Sequence, residues 1–182
     1  KTKDGQRNAI TFDPSKAIPF SEFKISCGQC IGCRISKSRE WAARCVVEAR
    51  SHKNNMFLTL TYDDAHLPED GSLHYEHFQL FMKRMRKYFM SRFGQQLRFF
   101  MCGEYGAKFC RPHFLVIIFS LSFVYKKLWS IRCGNILYRS ATLEKLWPFG
   151  FSSIGSVNFE TAAYVARYVT KKITGQIGRA HV

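Results

Sequence analysis

Apolar positions along the chain change period several times, and each change marks an element. Phe57-Leu58-Thr59-Leu60-Thr61-Tyr62 alternates and is rich in β-branched and aromatic residues, which predicts a strand over 56–62. Phe78, Phe81, Met82, Met85 and Phe89 then recur at i, i+3, i+4, i+7 and i+11. That stripe predicts an amphipathic helix over 74–93, with Lys83, Arg84, Arg86 and Lys87 on its other side. Runs at 97–103 and 112–119 predict two strands joined around Gly106, the second apolar enough to lie inside a sheet. Trp41, Ala42, Cys45 and Ala49 predict a helix over 36–51. A last helix is expected over 158–174, capped by Asn158 or Thr161 and stopped by Gly175. The stretch 121–155 follows neither period, apart from a short helix over 140–146. Helix, strand, helix, strand, strand, helix is the order of an α+β fold with an antiparallel sheet.

Three segments follow from this pattern. Residues 1–35 read as an irregular arm, with Pro14 and Pro19, that leads into a cysteine cluster, and 36–175 as the folded domain. Residues 176–182 are set aside as a non-native tail, because 177–182 back-translates into a common sequencing-adapter sequence. Lys1 stands where an initiator Met is expected, so it is read as lying inside a longer chain.

Composition narrows the function. The chain has 182 residues, 46% hydrophobic and 15% aromatic, enough for a core and against disorder. Its longest apolar stretch, 114–124 broken by Ser120, falls short of the roughly 20 residues a bilayer span needs, so no membrane partner is expected. Lys and Arg number 28 against 13 Asp and Glu, a net charge of +15, which points to DNA or RNA. No secretory signal opens the chain, so the seven cysteines are read as thiols or metal ligands in a reducing compartment.

Several constellations could carry chemistry. Tyr164 and Tyr168 are four residues apart and share a helix face, with Arg167, Lys171 and Lys172 beside them. Two phenols next to cations fit paired nucleophiles on a phosphodiester, and equally a core edge or a base-stacking platform. Glu104 at a strand end and His113 on the next strand can meet across a sheet to hold a divalent metal. Cys27, Cys30 and Cys33 are spaced for soft-metal ligation by zinc, or are small hydrophobes without a ligand role. Asp63, Asp64 and His66 follow the first strand as further metal ligands or as a solvated turn. Lys83, Arg84, Arg86 and Lys87 form a basic helix face suited to phosphate contact.

Taken in order, the 57–62 strand, Arg111-Pro112-His113, and Tyr164-Val165-Ala166-Arg167-Tyr168-Val169-Thr170-Lys171-Lys172 resemble the three motifs of rolling-circle replication initiators. Cys27-Gly28-Gln29-Cys30-Ile31-Gly32-Cys33, Tyr62-Asp63-Asp64, Cys102-Gly103-Glu104-Tyr105-Gly106 and Leu146-Trp147-Pro148 narrow the resemblance. They are similar to the initiators of gokushoviruses, small single-stranded DNA phages of the Microviridae. The resemblance implies an HUH endonuclease, an RRM-like nuclease domain in which a central antiparallel sheet of about five strands is flanked by helices. It further implies that Tyr168 and Tyr164 nick single-stranded viral DNA at the replication origin, forming a 5′-phosphotyrosine link and later rejoining the ends. Lys171 and Lys172 would support them, Glu104 and His113 would hold Mg²⁺ or Mn²⁺, and Arg167 would contact DNA. The implied partners are origin DNA and the host replication machinery, in the host bacterial cytoplasm. One position departs from the family: Leu115 stands where its second metal-binding histidine belongs. Water, Asp63 or Asp64 must then fill that place, or the chain is a nucleic-acid-binding module with weakened or lost catalysis.

Overall fold

The computed structural model describes residue 15 and residues 25–106, 110–132 and 134–170. Six strands form one antiparallel sheet in the order β2-β3-β1-β6-β5-β4. The elements in chain order are α1 (Ile31–Arg50), β1 (Asn55–Tyr62), α2 (Tyr75–Phe93), β2 (Arg98–Tyr105), β3 (Pro112–Phe119), β4 (Lys127–Arg132), β5 (Asn135–Arg139), α3 (Ala141–Leu146), β6 (Gly150–Gly155) and α4 (Phe159–Thr170).

Two apolar layers hold the sheet. On one side the whole predicted stripe of α2, Phe78, Phe81, Met82, Met85 and Phe89, is buried against Leu58, Leu60, Val116 and Ile118. Trp147 closes this layer, with its ring nitrogen donating to the Thr61 carbonyl at 3.3 Å. Truncating such a buried ring to alanine costs about 3–5 kcal/mol. On the other side α1 and α4 cover β2 and β3. Ala42 and Cys45 of α1 meet Ala162, Val165 and Ala166 of α4 above Phe100, Cys102, Leu115, Ile117 and Phe119. The alanines let the two helices pack close to each other and to the sheet. Trp41 adds a stack on Phe100, centroids 5.3 Å apart.

Three expectations change. The first helix begins at Ile31 instead of 36, because Cys30 caps it: the Cys30 sulfur accepts from the Cys33 N–H at 3.4 Å. The sheet has six strands, the additional ones drawn from the stretch that showed no period. Leu128, Trp129 and Ile131 on β4 are all exposed, so that edge strand has no buried face to impose alternation. Finally, β2 extends to Tyr105, so Glu104 lies within the ladder. The last helix is seen over Phe159–Thr170; residues 171–174 and the tail at 176–182 lie outside the described residues, as does nearly all of the arm before Ile25.

Gly150 is a sheet position where geometry demands glycine. Its φ is +146°, and a Cβ there would sit 2.2 Å from the Asp63 nitrogen and 2.5 Å from the Thr61 oxygen. This close approach lets β6 pair with β1 at Tyr62.

Candidate catalytic site

Strand register builds the site. Glu104 of β2 is paired with His113 of β3, His113 with Thr61 of β1, and Thr61 with Phe151 of β6. The four residues form one row on one face of the sheet, since residues directly paired in a ladder point the same way. His113 Nε2 lies 3.3 Å from Glu104 Oε2. The other ring nitrogen, Nδ1, is 3.1 Å from the Arg111 carbonyl, which can only accept. Nδ1 therefore carries a proton, and a neutral ring turns its Nε2 lone pair toward Glu104.

Helix α4 sets the phenols above this pair. Asn158 and Thr161 cap it reciprocally: the Asn158 side-chain oxygen accepts from the Thr161 N–H at 2.8 Å, and the Thr161 hydroxyl accepts from the Asn158 N–H at 2.9 Å. Six residues past Asn158, the Tyr164 hydroxyl donates to both Glu104 oxygens, 2.9 Å from each. Tyr168 packs edge-on against Tyr164 at 5.0 Å and also hydrogen-bonds with Glu104. Both expected tyrosines, the acid and the histidine thus meet in one cluster.

Electrostatics follow from that cluster. Glu104 is only 5% exposed, and burial pushes its carboxyl up. Hydrogen bonds from His113, Tyr168 and Tyr164 outweigh burial and hold it below its ordinary value. For Tyr164, burial and its bonds with Tyr168 and Glu104 push the phenol well above its usual range. Burial and Glu104 likewise raise Tyr168. As they stand, both phenols keep their protons, and a nucleophile made from either needs a cation to offset Glu104.

Leu115 lies two residues along β3 from His113 and on the same face, paired with Cys102 and Thr59. It is 2% exposed and belongs to the apolar layer with Ile117, Val165 and Ala166. The donors that converge are therefore Glu104 and His113. That pair suits a hard divalent ion that keeps several waters, as Mg²⁺ commonly does. Asp63 and Asp64 are engaged elsewhere: Asp63 bonds with His66 at 2.7 Å, and Asp64 pairs with Arg111. Among the described residues they join no group of three or more ligands with Glu104 and His113.

Other expected residues lie apart. Lys83, Arg84, Arg86 and Lys87 are exposed on α2, across the sheet from Glu104 and the tyrosines. Arg84 is partly committed to its own fold, 5.8 Å over the Phe149 ring and 3.5 Å from the Leu146 carbonyl. Arg167 is exposed on α4, whereas Lys171 and Lys172 lie outside the described residues. Cys27, Cys30 and Cys33 come together ahead of α1 with their sulfurs all within 4.8 Å. Backbone N–H groups of Cys30 and Gln29 lower the Cys27 thiol to about 7.

One surface escaped the sequence reading. Helices α1 and α4 cover β2 and β3 but leave the same face of β1, β6, β5 and β4 open, forming a groove lined by Phe57, Thr59, Thr61, Trp129, Leu137 and Phe151. Trp129 and Phe151 are about half exposed, at 48% and 58%. The outward set of β1, Phe57-Thr59-Thr61, was the available signal, because it is less apolar than the inward set Leu58-Leu60-Tyr62.

Known proteins bear on this arrangement. The family model for replication-associated protein ORF2 matches residues 55–173, spanning the sheet and the tyrosine helix. The chain is 36% identical over 155 residues to the replication-associated protein ORF2 of Spiroplasma virus 4, covering 82% of this chain and 48% of that protein. It is 36% identical over 155 residues to the replication-associated protein ORF4 of Chlamydia phage 1, covering 82% and 39%. Against the replication-associated protein VP4 of Bdellovibrio phage phiMH2K it is 38% identical over 159 residues, covering 85% and 50%. The chain thus spans half or less of the length of these relatives. No solved structure matches it. Among the described residues no helix is long and apolar enough to cross a membrane. With the family match running through β1, Glu104, His113 and both tyrosines, the chain belongs to the replication-associated protein ORF2 family of phage replication proteins.

Proposed function

We propose that this domain is the strand-nicking part of a rolling-circle replication initiator acting on single-stranded viral DNA. The observation that carries the reading is the Tyr164–Glu104–His113 cluster, with Tyr168 against it, at one end of an open groove. In the reaction a tyrosine oxygen attacks a backbone phosphorus and the bond from phosphorus to the 3′ oxygen breaks. The 5′ side stays on the tyrosine as a phosphodiester, and the 3′ oxygen takes up a proton and leaves as a free hydroxyl. Rejoining reverses these steps and needs no nucleotide, because the bond energy is retained in the link.

Glu104 and His113 are the residues suited to Mg²⁺ or Mn²⁺, and a bound ion would polarise a phosphate oxygen. Glu104 also accepts the phenol proton's hydrogen bond, which aims Tyr164 at the place where phosphate must lie. Lys171 and Lys172 follow α4 in sequence and are assigned to charge support, and Arg167 to the DNA backbone. Lys83, Arg84, Arg86 and Lys87 are assigned to a second stretch of DNA on the far side of the sheet. The groove from Thr61 through Phe151 to Trp129 suits unpaired bases, which stack on aromatic rings without sequence preference. Host replication proteins would extend the freed 3′ end in the bacterial cytoplasm.

Leu115 favours a second reading, a DNA-binding module whose nicking is weak or lost, because its apolar burial leaves two protein donors at the site. One experiment separates the two. The protein is incubated with Mn²⁺ and single-stranded oligonucleotides tiling the cognate phage genome, and a denaturing gel is read for a covalent adduct. Nicking predicts an adduct that disappears in the Tyr164→Phe, Tyr168→Phe double variant. Tight binding with no adduct establishes the second reading.

A further inference from the structure

We propose that Cys27, Cys30 and Cys33 form a tetrahedral soft-metal site, taking zinc, at the start of α1. The site is separate from the Glu104–His113 pair and independent of nicking.

Exposure first sorts the cysteines into two kinds. Cys45 and Cys102 are buried core residues, and burial pushes their thiols up, Cys45 to about 12. Such cysteines behave as small hydrophobes. Cys27 and Cys30 are exposed and Cys33 is half-buried, so the three have no packing role to explain their convergence.

Distances then fit one ion. A zinc–sulfur bond of about 2.3 Å in a tetrahedron separates neighbouring thiolates by about 3.8 Å. Cys27 and Cys33 sulfurs are 3.7 Å apart, and all three lie within 4.8 Å of one another. This is too long for a disulfide, whose sulfurs sit about 2.05 Å apart. It is also closer than thiolates bound to separate irons of a cubic iron–sulfur cluster would stand.

The backbone is shaped to present these sulfurs. Gly28 has φ +69°, turning the chain directly after Cys27. The Cys30 N–H then donates to the Cys27 sulfur at 3.3 Å, and the Cys33 N–H to the Cys30 sulfur at 3.4 Å. N–H donors aimed at sulfur, together with the positive end of α1, favour the thiolate form that a metal needs. Among the described residues the fourth position is open. Cys45 is twelve residues further along the same helix, about 18 Å away, and Cys102 lies inside β2.

Ligand chemistry keeps this ion apart from the catalytic one. Thiolates select zinc, whereas a carboxylate with imidazole and water suits Mg²⁺ or Mn²⁺. Zinc here would tie residues 27–30 to the first turn of α1, the helix that supplies Ala42 and Cys45 to the layer under α4.

The test is metal analysis of the chain purified without chelators or DNA, which should give about one zinc per chain. Cobalt exchanged into the site should show thiolate-to-cobalt charge-transfer bands and the visible bands of a tetrahedral ion. Cys27→His, which keeps a ligand, should retain zinc; a Cys27→Ser, Cys30→Ser, Cys33→Ser variant should lose it. If the triple variant does not fold, removing zinc from the unaltered chain with a strong chelator replaces it, and should abolish the metal signal while far-ultraviolet circular dichroism reports on α1. A folded chain with no zinc and no cobalt bands overturns the proposal. So does zinc that persists in the triple variant, or the brown absorbance of an iron–sulfur cluster.

Discussion

The Tyr164 hydroxyl lies 2.9 Å from both oxygens of Glu104, so a carboxylate that is 5% exposed shares a phenol proton delivered by a different element. Tyr164→Phe removes that donor and leaves the carboxylate short of a partner. The expected cost is about 1–3 kcal/mol, read as a lower urea midpoint with unchanged slope. An unchanged midpoint would mean that His113 and Tyr168 satisfy Glu104 without it.

Leu115→His should behave in two stages. Without metal, an imidazole replacing a leucine in the layer with Ile117, Val165 and Ala166 costs about 2–4 kcal/mol. With Mn²⁺ the variant should regain stability, by about 2.7 kcal/mol at a hundred times its dissociation constant, and the unaltered chain should gain less. Thermal melts with and without Mn²⁺ check this, and equal gains in both proteins would count against a third ligand position at 115.

His77 makes stability depend on pH. Its Nδ1 is 2.9 Å from the Tyr62 hydroxyl, and its ring stacks on Phe149 at 4.3 Å. Burial and then the nearby His74 lower its pKa, an effect that Glu76 opposes and His66 reinforces. A lowered folded value means that the unfolded chain takes the proton first. The contribution is therefore complete above about pH 6.5 and is lost as pH falls through the folded value. Melting temperature should drop from about pH 7.5 to about pH 5.5, and drop less in His77→Gln. Equal drops would place the dependence elsewhere.

Gly150→Ala should be among the most damaging small substitutions in the sheet. Backbone strain alone is worth about 1–3 kcal/mol, and the added carbon meets Asp63 and Thr61 backbone atoms that cannot swing aside. Chemical denaturation measures the loss. A near-neutral result would mean that β6 can shift along β1 without penalty.

The open groove predicts a binding phenotype without a stability one. Trp129→Ala or Phe151→Ala should weaken single-stranded DNA binding by about 1–3 kcal/mol for each lost stacking ring. Fluorescence anisotropy with a labelled oligonucleotide reads this, and the half-exposed rings should leave the urea midpoint nearly unmoved. Unaltered affinity in both variants would remove the groove as a DNA track.

Elements with one strongly buried face were legible in the chain. The α2 stripe and the β1 alternation survive because each residue on them is either inside or outside. Strands β4 to β6 were illegible for the opposite reason: Leu128, Ile131 and Phe151 are apolar yet exposed, which destroys the alternation. At the site, the tyrosine pair, Glu104 and His113 were legible as residues. Their convergence was not, because it depends on the β2–β3 register and on where α4 crosses it. Position 115 was visible as a departure from a motif, but only the structure puts that leucine inside a packed layer.

The basic face of α2 lies across the sheet from Tyr164 and Glu104, and this separation gives the protein a sense of substrate length. An oligonucleotide just long enough to fill the groove meets the chemistry but not Lys83, Arg84, Arg86 or Lys87. A longer strand must bend round a sheet edge to reach them, and only then does it release the counterions those four side chains displace. Salt sensitivity thus becomes a ruler: it should steepen at the length where the DNA first wraps from one side of the protein to the other.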